Sequence, residues 1–84
     1  MKYLVYILYS AAIDKYYIGH TGEPMDERLR KHLSNHSGYT AKAKDWSLRY
    51  NEEYSTKAEA YAREREIKKK KSRKYIQNQI SSAG

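Results

Sequence analysis

Tyr3-Leu4-Val5-Tyr6-Ile7-Leu8-Tyr9, followed by Tyr16-Tyr17-Ile18-Gly19, opens the chain and decides its architecture. The first run is apolar on both faces and rich in Tyr, Val, Ile and Leu. That is the composition of a central strand covered from both sides. Ala11-Ala12-Ile13-Asp14-Lys15 connects the two runs, with Asp14-Lys15 the expected turn. Tyr16 to Gly19 predicts a second short strand, so the pair reads as an antiparallel hairpin.

Outward from the hairpin, Thr21-Gly22-Glu23-Pro24 breaks the pattern. Pro24 suits a first helical turn, where its missing N–H is no loss. Glu23, Asp26 and Glu27 place negative charge at the same end, which the helix dipole favours. The helix is expected from Met25 to about Leu33, with Met25, Leu29 and Leu33 as its core stripe. Asn35, Ser37 and Gly38 end it. Gly38 to Trp46 is a basic loop without a clear period. Leu48 to Tyr54 reads as a third strand. Thr56-Lys57-Ala58-Glu59 matches a capping box and predicts a second helix, with Ala58, Tyr61, Ala62 and Arg65 recurring on successive turns. Lys68 to Lys71 is an unbroken lysine run, and Ser72 is placed to cap a third helix through Ile76 and Ile80. The expectation is a small α/β (α+β) domain over residues 1–80: a three-stranded, mainly antiparallel sheet flanked by helices. Residues 81–84 are expected as a frayed tail.

With 84 residues there is room for one domain, and a domain so small buries only roughly 60% of its unfolded surface. The chain has ten Tyr, one Trp and no Phe, so tyrosine must fill much of the core. Each buried hydroxyl then needs a partner. Lys and Arg number 17 against 10 Asp and Glu, a formal charge of +7 that suits an anionic partner. Without cysteine, disulfides and thiolate metal sites are excluded. The N-terminal apolar run lacks the length and cleavage site of a secretory signal, and no apolar stretch is long enough to span a bilayer. A cytoplasmic protein with no membrane role and no obligate protein partner is the default expectation.

Some of these residues carry chemistry. Arg28 and His32 stand four apart in the first helix and share a face, whereas Arg30 points elsewhere. Glu64 sits in the charged second helix. Cutting a phosphodiester requires a nucleophilic water, a stabiliser for phosphate charge and help for the leaving oxygen. Tyrosine, arginine and a carboxylate with one metal ion can supply these. Leu4-Val5-Tyr6 and Tyr17-Ile18-Gly19, followed by Arg28, His32 and Glu64, together resemble the GIY-YIG nuclease domain. Leucine replaces the glycine of the first motif, and the second motif matches in full. The resemblance runs through the whole chain, best over residues 4–32 and 58–74. It is nearest to the short stand-alone subgroup, similar to the nuclease domain of the excision-repair incision enzyme.

That resemblance implies a divalent-metal-dependent endonuclease acting on nucleic acid, with DNA the expected substrate and DNA repair an expected setting. It implies that Tyr6 and Tyr17 face one another across a cleft, one as general base and the other orienting the water. Free tyrosine titrates near pH ~10, so the base needs help from the metal or from cations such as Arg28 and Lys15. Arg28 would fork the scissile phosphate, and His32 would touch a tyrosine hydroxyl or the phosphate. The family's metal glutamate follows a small residue by four positions. Ala60 thus gives Glu64 as ligand for Mg²⁺ or Mn²⁺, ions that keep several waters, while the spacing leaves Glu66 open as a rival. No residue clearly matches the asparagine that many members carry after this glutamate; Asn78 lies far along the chain.

Plainer readings exist for every one of these residues. Tyrosines in apolar strands are usually core, and a single helical Arg, Glu or His is usually solvated. His20, His32 and His36 would by that default lie on the surface. Joint order and spacing favour the functional reading. The lysine run can be a solvated helix end favoured by the dipole. Alternatively, Lys42, Lys44, Lys68, Lys71, Arg73 and Lys74 form a ridge that contacts phosphates. Nothing resembles a base-reading motif, so binding is expected to be weakly sequence-specific. The competing functions are a non-catalytic nucleic-acid-binding module on the same fold and a small basic protein for an acidic partner.

Overall fold

The first apolar run is the middle of the sheet. In the computed structural model, which describes residues 2–34 and 38–83, β1 (Tyr3–Ser10) pairs antiparallel with both β2 (Lys15–Thr21) and β3 (Ser47–Tyr54), in the order β2-β1-β3. A strand with two neighbours and two covered faces needs apolar side chains on both sides, which explains the unbroken run from Leu4 to Leu8. The hairpin turn is where the sequence places it. Asp14 adopts φ 53, the left-handed region that a short polar side chain tolerates. Its carboxylate accepts from the Tyr9 hydroxyl at 2.6 Å and pairs with Arg73, which ties the turn to the C-terminal helix.

Two cores result, one on each face. Met25, Leu29 and Leu33 of α1 (Met25–Ser34) pack on Tyr6, Leu8, Ala43 and Trp46. On the other face α2 (Lys57–Lys70) and α3 (Arg73–Ala83) cover Val5, Ile7 and Ile18 with Ala60, Ile67 and Ile76. β3 serves both faces because a register irregularity intervenes: Ile7 pairs with Tyr50 but Leu8 with Leu48. Leu48 therefore joins the α1 core while Tyr50 and Tyr54 join the other. Thr56 caps α2 by accepting from the Glu59 N–H at 3.2 Å, and Ser72 caps α3 by accepting from the Tyr75 N–H at 3.1 Å.

Three expectations change. The loop after Gly38 contains a 3₁₀ turn, Tyr39–Lys42. Residues 81–83 are the last turn of α3 rather than a tail; Asn35 and Ser37, expected to end α1, lie outside the described residues, as does His36. The buried stripe of α2 is Ala60, Glu64 and Ile67, while Ala58, Tyr61, Ala62 and Arg65 are exposed. Helix α2 has too few apolar residues for an ordinary stripe, so it buries charge by pairing it. Arg63 donates to Glu52 at 3.0 Å, to the Tyr75 hydroxyl at 3.1 Å and to Gln79 at 3.0 Å. Glu52 also accepts from the hydroxyls of Tyr50 and Tyr54. Tyrosine in place of phenylalanine thus gives this core its polar ties, and no described buried side-chain N or O atom lacks a partner.

Candidate active site

Gly19 makes the site possible. It lies opposite Tyr6 in the sheet, and a Cβ built on it would fall 2.5 Å from the Tyr6 hydroxyl oxygen and 2.7 Å from Cζ. The Tyr6 ring therefore crosses the backbone of β2 at a point where only glycine leaves room. Beyond it the hydroxyl meets α1. His32 Nε2 lies 2.7 Å away, and Arg28 Nε donates to the same oxygen at 3.2 Å. The four-residue spacing of Arg28 and His32 is what lets one helix face supply both contacts.

Tyr6 is fully buried, and burial pushes its hydroxyl up to about 12 despite the guanidinium beside it. It therefore remains a phenol at neutral pH. Burial, and then the Arg28 charge, hold the His32 imidazole below its ordinary value, so it is neutral. The proton positions follow. Arg28 occupies one lone pair of the Tyr6 oxygen, and the Tyr6 proton needs an acceptor, which is His32 Nε2. Nδ1 of His32 then carries the ring proton and donates to Thr40 Oγ1 at 3.2 Å. Thr40 in turn is held by Trp46, whose Nε1 donates to its carbonyl at 2.9 Å.

Tyr17 lies diagonally across the hairpin, its ring centroid 6.3 Å from that of Tyr6 and 5.1 Å from the His32 ring. It belongs to the edge strand and is only half-buried. A cation beside it is Lys68, with Nζ 6.0 Å from the ring centroid. Lys15, expected as a helper, stands instead at the turn end of the hairpin opposite Ser10. Lys68 also reaches Oε2 of Glu64 at 3.2 Å, while Oε1 is 2.8 Å from His20 Nδ1. Glu64 is buried at the β2 edge, and its charge is close enough to act on Tyr6. It thereby joins the α2 face of the sheet to the tyrosine site.

Tyr6, Tyr17, Arg28, His32 and Glu64 are thus brought together. Glu66, the rival carboxylate, is exposed and pairs with Arg63. Arg30 donates to Glu27 at 2.6 Å on the outer side of α1. Asn78 is exposed on α3. Among the basic residues, Lys42, Lys44, Lys71 and Lys74 are exposed. Arg73 is held by Asp14, donating to its carbonyl at 3.1 Å as well as pairing with its carboxylate. Sequence reasoning missed His20, placed on the surface by default, and Thr40. Their partners lie 44 and 8 residues away. His20 follows Gly19 directly and so faces α2, a signal that strand alternation alone could have given.

A model of the GIY-YIG catalytic domain matches residues 2–77. The chain belongs to that family. No curated protein and no solved structure matches it. GIY-YIG domains are nucleases, so nucleic acid is the substrate at the level of the family. In this GIY-YIG domain the position that gives Tyr6 room is Gly19 of the second motif. Among the described residues no group of three or more His, Cys, Asp or Glu could cage a metal. The donor set fits a different kind of ion. Glu64 is a single carboxylate whose Oε2 already takes a cation, the Lys68 ammonium. A hard hydrated cation that brings its own waters and uses phosphate oxygens suits such a position.

Proposed function

We propose that this protein is a divalent-metal-dependent endonuclease that hydrolyses phosphodiester bonds in DNA. The observation that carries the reading is the convergence on one hydroxyl, Tyr6, of Arg28 and His32, with Glu64 and Tyr17 at the same edge of the sheet. Arg28 is anchored through Nε, its Nη1 lies 3.9 Å from Glu23 Oε2, and its side chain is 33% exposed, so a phosphate reaches the outer nitrogens by competing with a long, half-exposed ion pair. Its role is to bind non-bridging oxygens and stabilise the charge that grows on them. Tyr6 holds that guanidinium; buried and pushed up to about 12, it stays protonated and is not available as a base. In this reading Tyr17 orients the attacking water and takes its proton; its partial exposure and the nearby Lys68 support the assignment. His32 fixes the Tyr6 proton and so keeps the Tyr6 oxygen turned to Arg28. Glu64 would hold Mg²⁺ or Mn²⁺, which when bound supplies a more acidic water and neutralises phosphate charge. Exposed Lys42, Lys44, Lys71 and Lys74 would contact phosphates of the flanking strand.

One feature favours the alternative of a non-catalytic binding module. Both oxygens of Glu64 are satisfied internally, by His20 and Lys68. Labelled single-stranded, duplex and branched DNA, incubated with Mg²⁺, Mn²⁺ or EDTA, separates the two. Metal-dependent nicking that Arg28→Ala suppresses supports the nuclease. Salt-sensitive binding without cleavage under any metal leaves only the module.

A further inference from the structure

Next to the tyrosine site, between β2 and the junction of α2 with α3, is a cavity of about 360 Å³. Ile18, Ile67 and Ile76 give it an apolar floor, and Tyr16 forms a wall. Its rim carries Lys15, Lys68, Lys71 and Arg73, with no acidic residue among the lining side chains. Arg73 is neutralised by Asp14 and packs 5.3 Å from the Tyr16 ring centroid, so it builds the wall. Lys15 and Lys71 are exposed, and among the described residues neither forms a side-chain ion pair. Lys15 senses the Asp14 charge only through space. Two ammonium groups without an ion pair among the described residues, Lys15 and Lys71, over an apolar floor offer an anion its counter-charges. The matching ligand is amphipathic: a flat or aliphatic body for the isoleucines and a phosphoryl group for the lysines.

The position of the cavity says where such a ligand comes from. Lys68 lines it and also lines the adjoining hollow with Tyr16, Tyr17 and Ile18. That same lysine contacts Glu64 and the Tyr17 ring. Through Lys68, Tyr16 and Ile18 the cavity adjoins Tyr17, so a strand whose scissile phosphate lies at Tyr17 can bring a neighbouring nucleotide round the β2 edge to the cavity mouth. About 360 Å³ falls at the small end of ligand pockets and admits one nucleotide, not a base pair. A paired and stacked base cannot enter without being flipped out of the duplex, which costs unstacking energy.

We propose that this cavity receives the unpaired nucleotide beside the scissile phosphate, so that the substrate class is DNA with single-stranded character at the cut rather than intact duplex. The inference rests on the nuclease reading of the adjacent site. The test is fluorescence anisotropy in EDTA with a labelled single-stranded oligonucleotide and its duplex, followed by cleavage of both. The variants are Lys15→Ala and Lys71→Asn, singly and together. Asparagine is used because Lys71 has φ 49, which alanine tolerates poorly. Wild type is expected to favour the single strand, each single variant to lose up to about tenfold of that affinity, the effect of one lost charged contact, and the double variant to lose more than tenfold. Duplex affinity should fall much less. Lys74→Ala, outside the cavity, should weaken both forms in equal proportion.

Equal losses on both forms in the double variant, or a wild-type preference for duplex, would overturn the inference. So would competition by thymidine monophosphate for a site at which neither strand form responds to the variants; the cavity would then take a free mononucleotide. Binding in EDTA is independent of cleavage. A protein that shows the single-strand preference and cuts nothing keeps the cavity assignment and loses the nuclease reading. One that cuts both forms alike, with no selective effect of the variants, does the reverse.

Discussion

Gly19→Ala is the sharpest perturbation of the site, because it adds one carbon at a known place. Gly19 does not have a positive φ, so alanine brings no backbone strain there. What it brings is a Cβ 2.5 Å from the Tyr6 oxygen, 2.7 Å from its Cζ and 3.1 Å from Cε2 of Tyr17. Ordinary carbon contacts begin near ~3.5 Å, so Tyr6 must move by about 1 Å. It is packed on all sides, and its hydroxyl is held by His32 at 2.7 Å and Arg28 at 3.2 Å. Losing one neutral and one charged hydrogen bond in a buried setting costs roughly 2–4 kcal/mol. For a domain of this size that is a fall in Tm of about 8 °C or more. Cleavage should fall by roughly 10²–10³-fold, since Arg28 loses its anchor. Thermal unfolding by circular dichroism and single-turnover cleavage of a labelled strand are the assays. In the background of Tyr6→Phe, where the oxygen is gone but Cζ remains, Gly19→Ala should cost distinctly less stability than in wild type. If Gly19→Ala unfolds within 2 °C of wild type and cuts at a normal rate, the account of why this motif ends in glycine is refuted.

Glu64→Ala should abolish cleavage while DNA binding in EDTA persists, and Glu66→Ala, on the exposed Arg63 pair, should keep activity; the reverse result would mean that the carboxylates have been misassigned. Arg28→Ala should lower the rate roughly 10²–10³-fold, with Arg30→Ala costing far less, and equal losses would reduce both to bulk basic surface. Tyr17→Phe deletes only a hydroxyl, so it should stay folded and cut much more slowly than wild type, and a normal rate would make Tyr17 a packing residue. His32 is held below its ordinary value, so on acidification the unfolded chain takes a proton near pH ~6.5 that the folded one resists. Stability should therefore fall as pH drops below that point, by up to about 1.4 kcal/mol per pH unit; urea midpoints of His32→Gln should show a flatter slope over pH 6.5 to about 5 if this is right.

Where a pattern was local, the chain could be read directly. The hairpin, the α1 stripe of Met25, Leu29 and Leu33, and the caps at Thr56 and Ser72 each follow from a few adjacent residues. The face of α2 could not be found this way. Apolar periodicity points to Tyr61, whereas the buried positions are Ala60, Glu64 and Ile67. Glu64 goes inside because Lys68 pairs with one oxygen and His20 hydrogen-bonds the other, and no rule about hydrophobic spacing contains that information. The same holds for Thr40, which matters only because His32 has a second nitrogen to satisfy. In β3 the irregularity opposite Ile7 and Leu8 exchanges the faces of Leu48 and Tyr50, and nothing in the alternation announces it.

The paired motifs suggest two equivalent tyrosines, but the strand order makes them different. β1 is central and covered on both faces, so Tyr6 is buried by its place in the sheet before any chemistry is considered. A buried hydroxyl must be satisfied, and its partners are Arg28 and His32, which it fixes in return. β2 is an edge strand, so Tyr17 keeps access to solvent and to a substrate strand. The glycine two residues beyond Tyr17 lets the Tyr6 side chain pass across β2. Each motif thus supports the other: the second makes room for the first, and the first holds Arg28, the arginine proposed to meet the phosphate. Changes at Tyr6 must therefore combine effects on fold and geometry, whereas removing the Tyr17 hydroxyl leaves the Arg28 anchor in place and so tests the proposed proton transfer by itself.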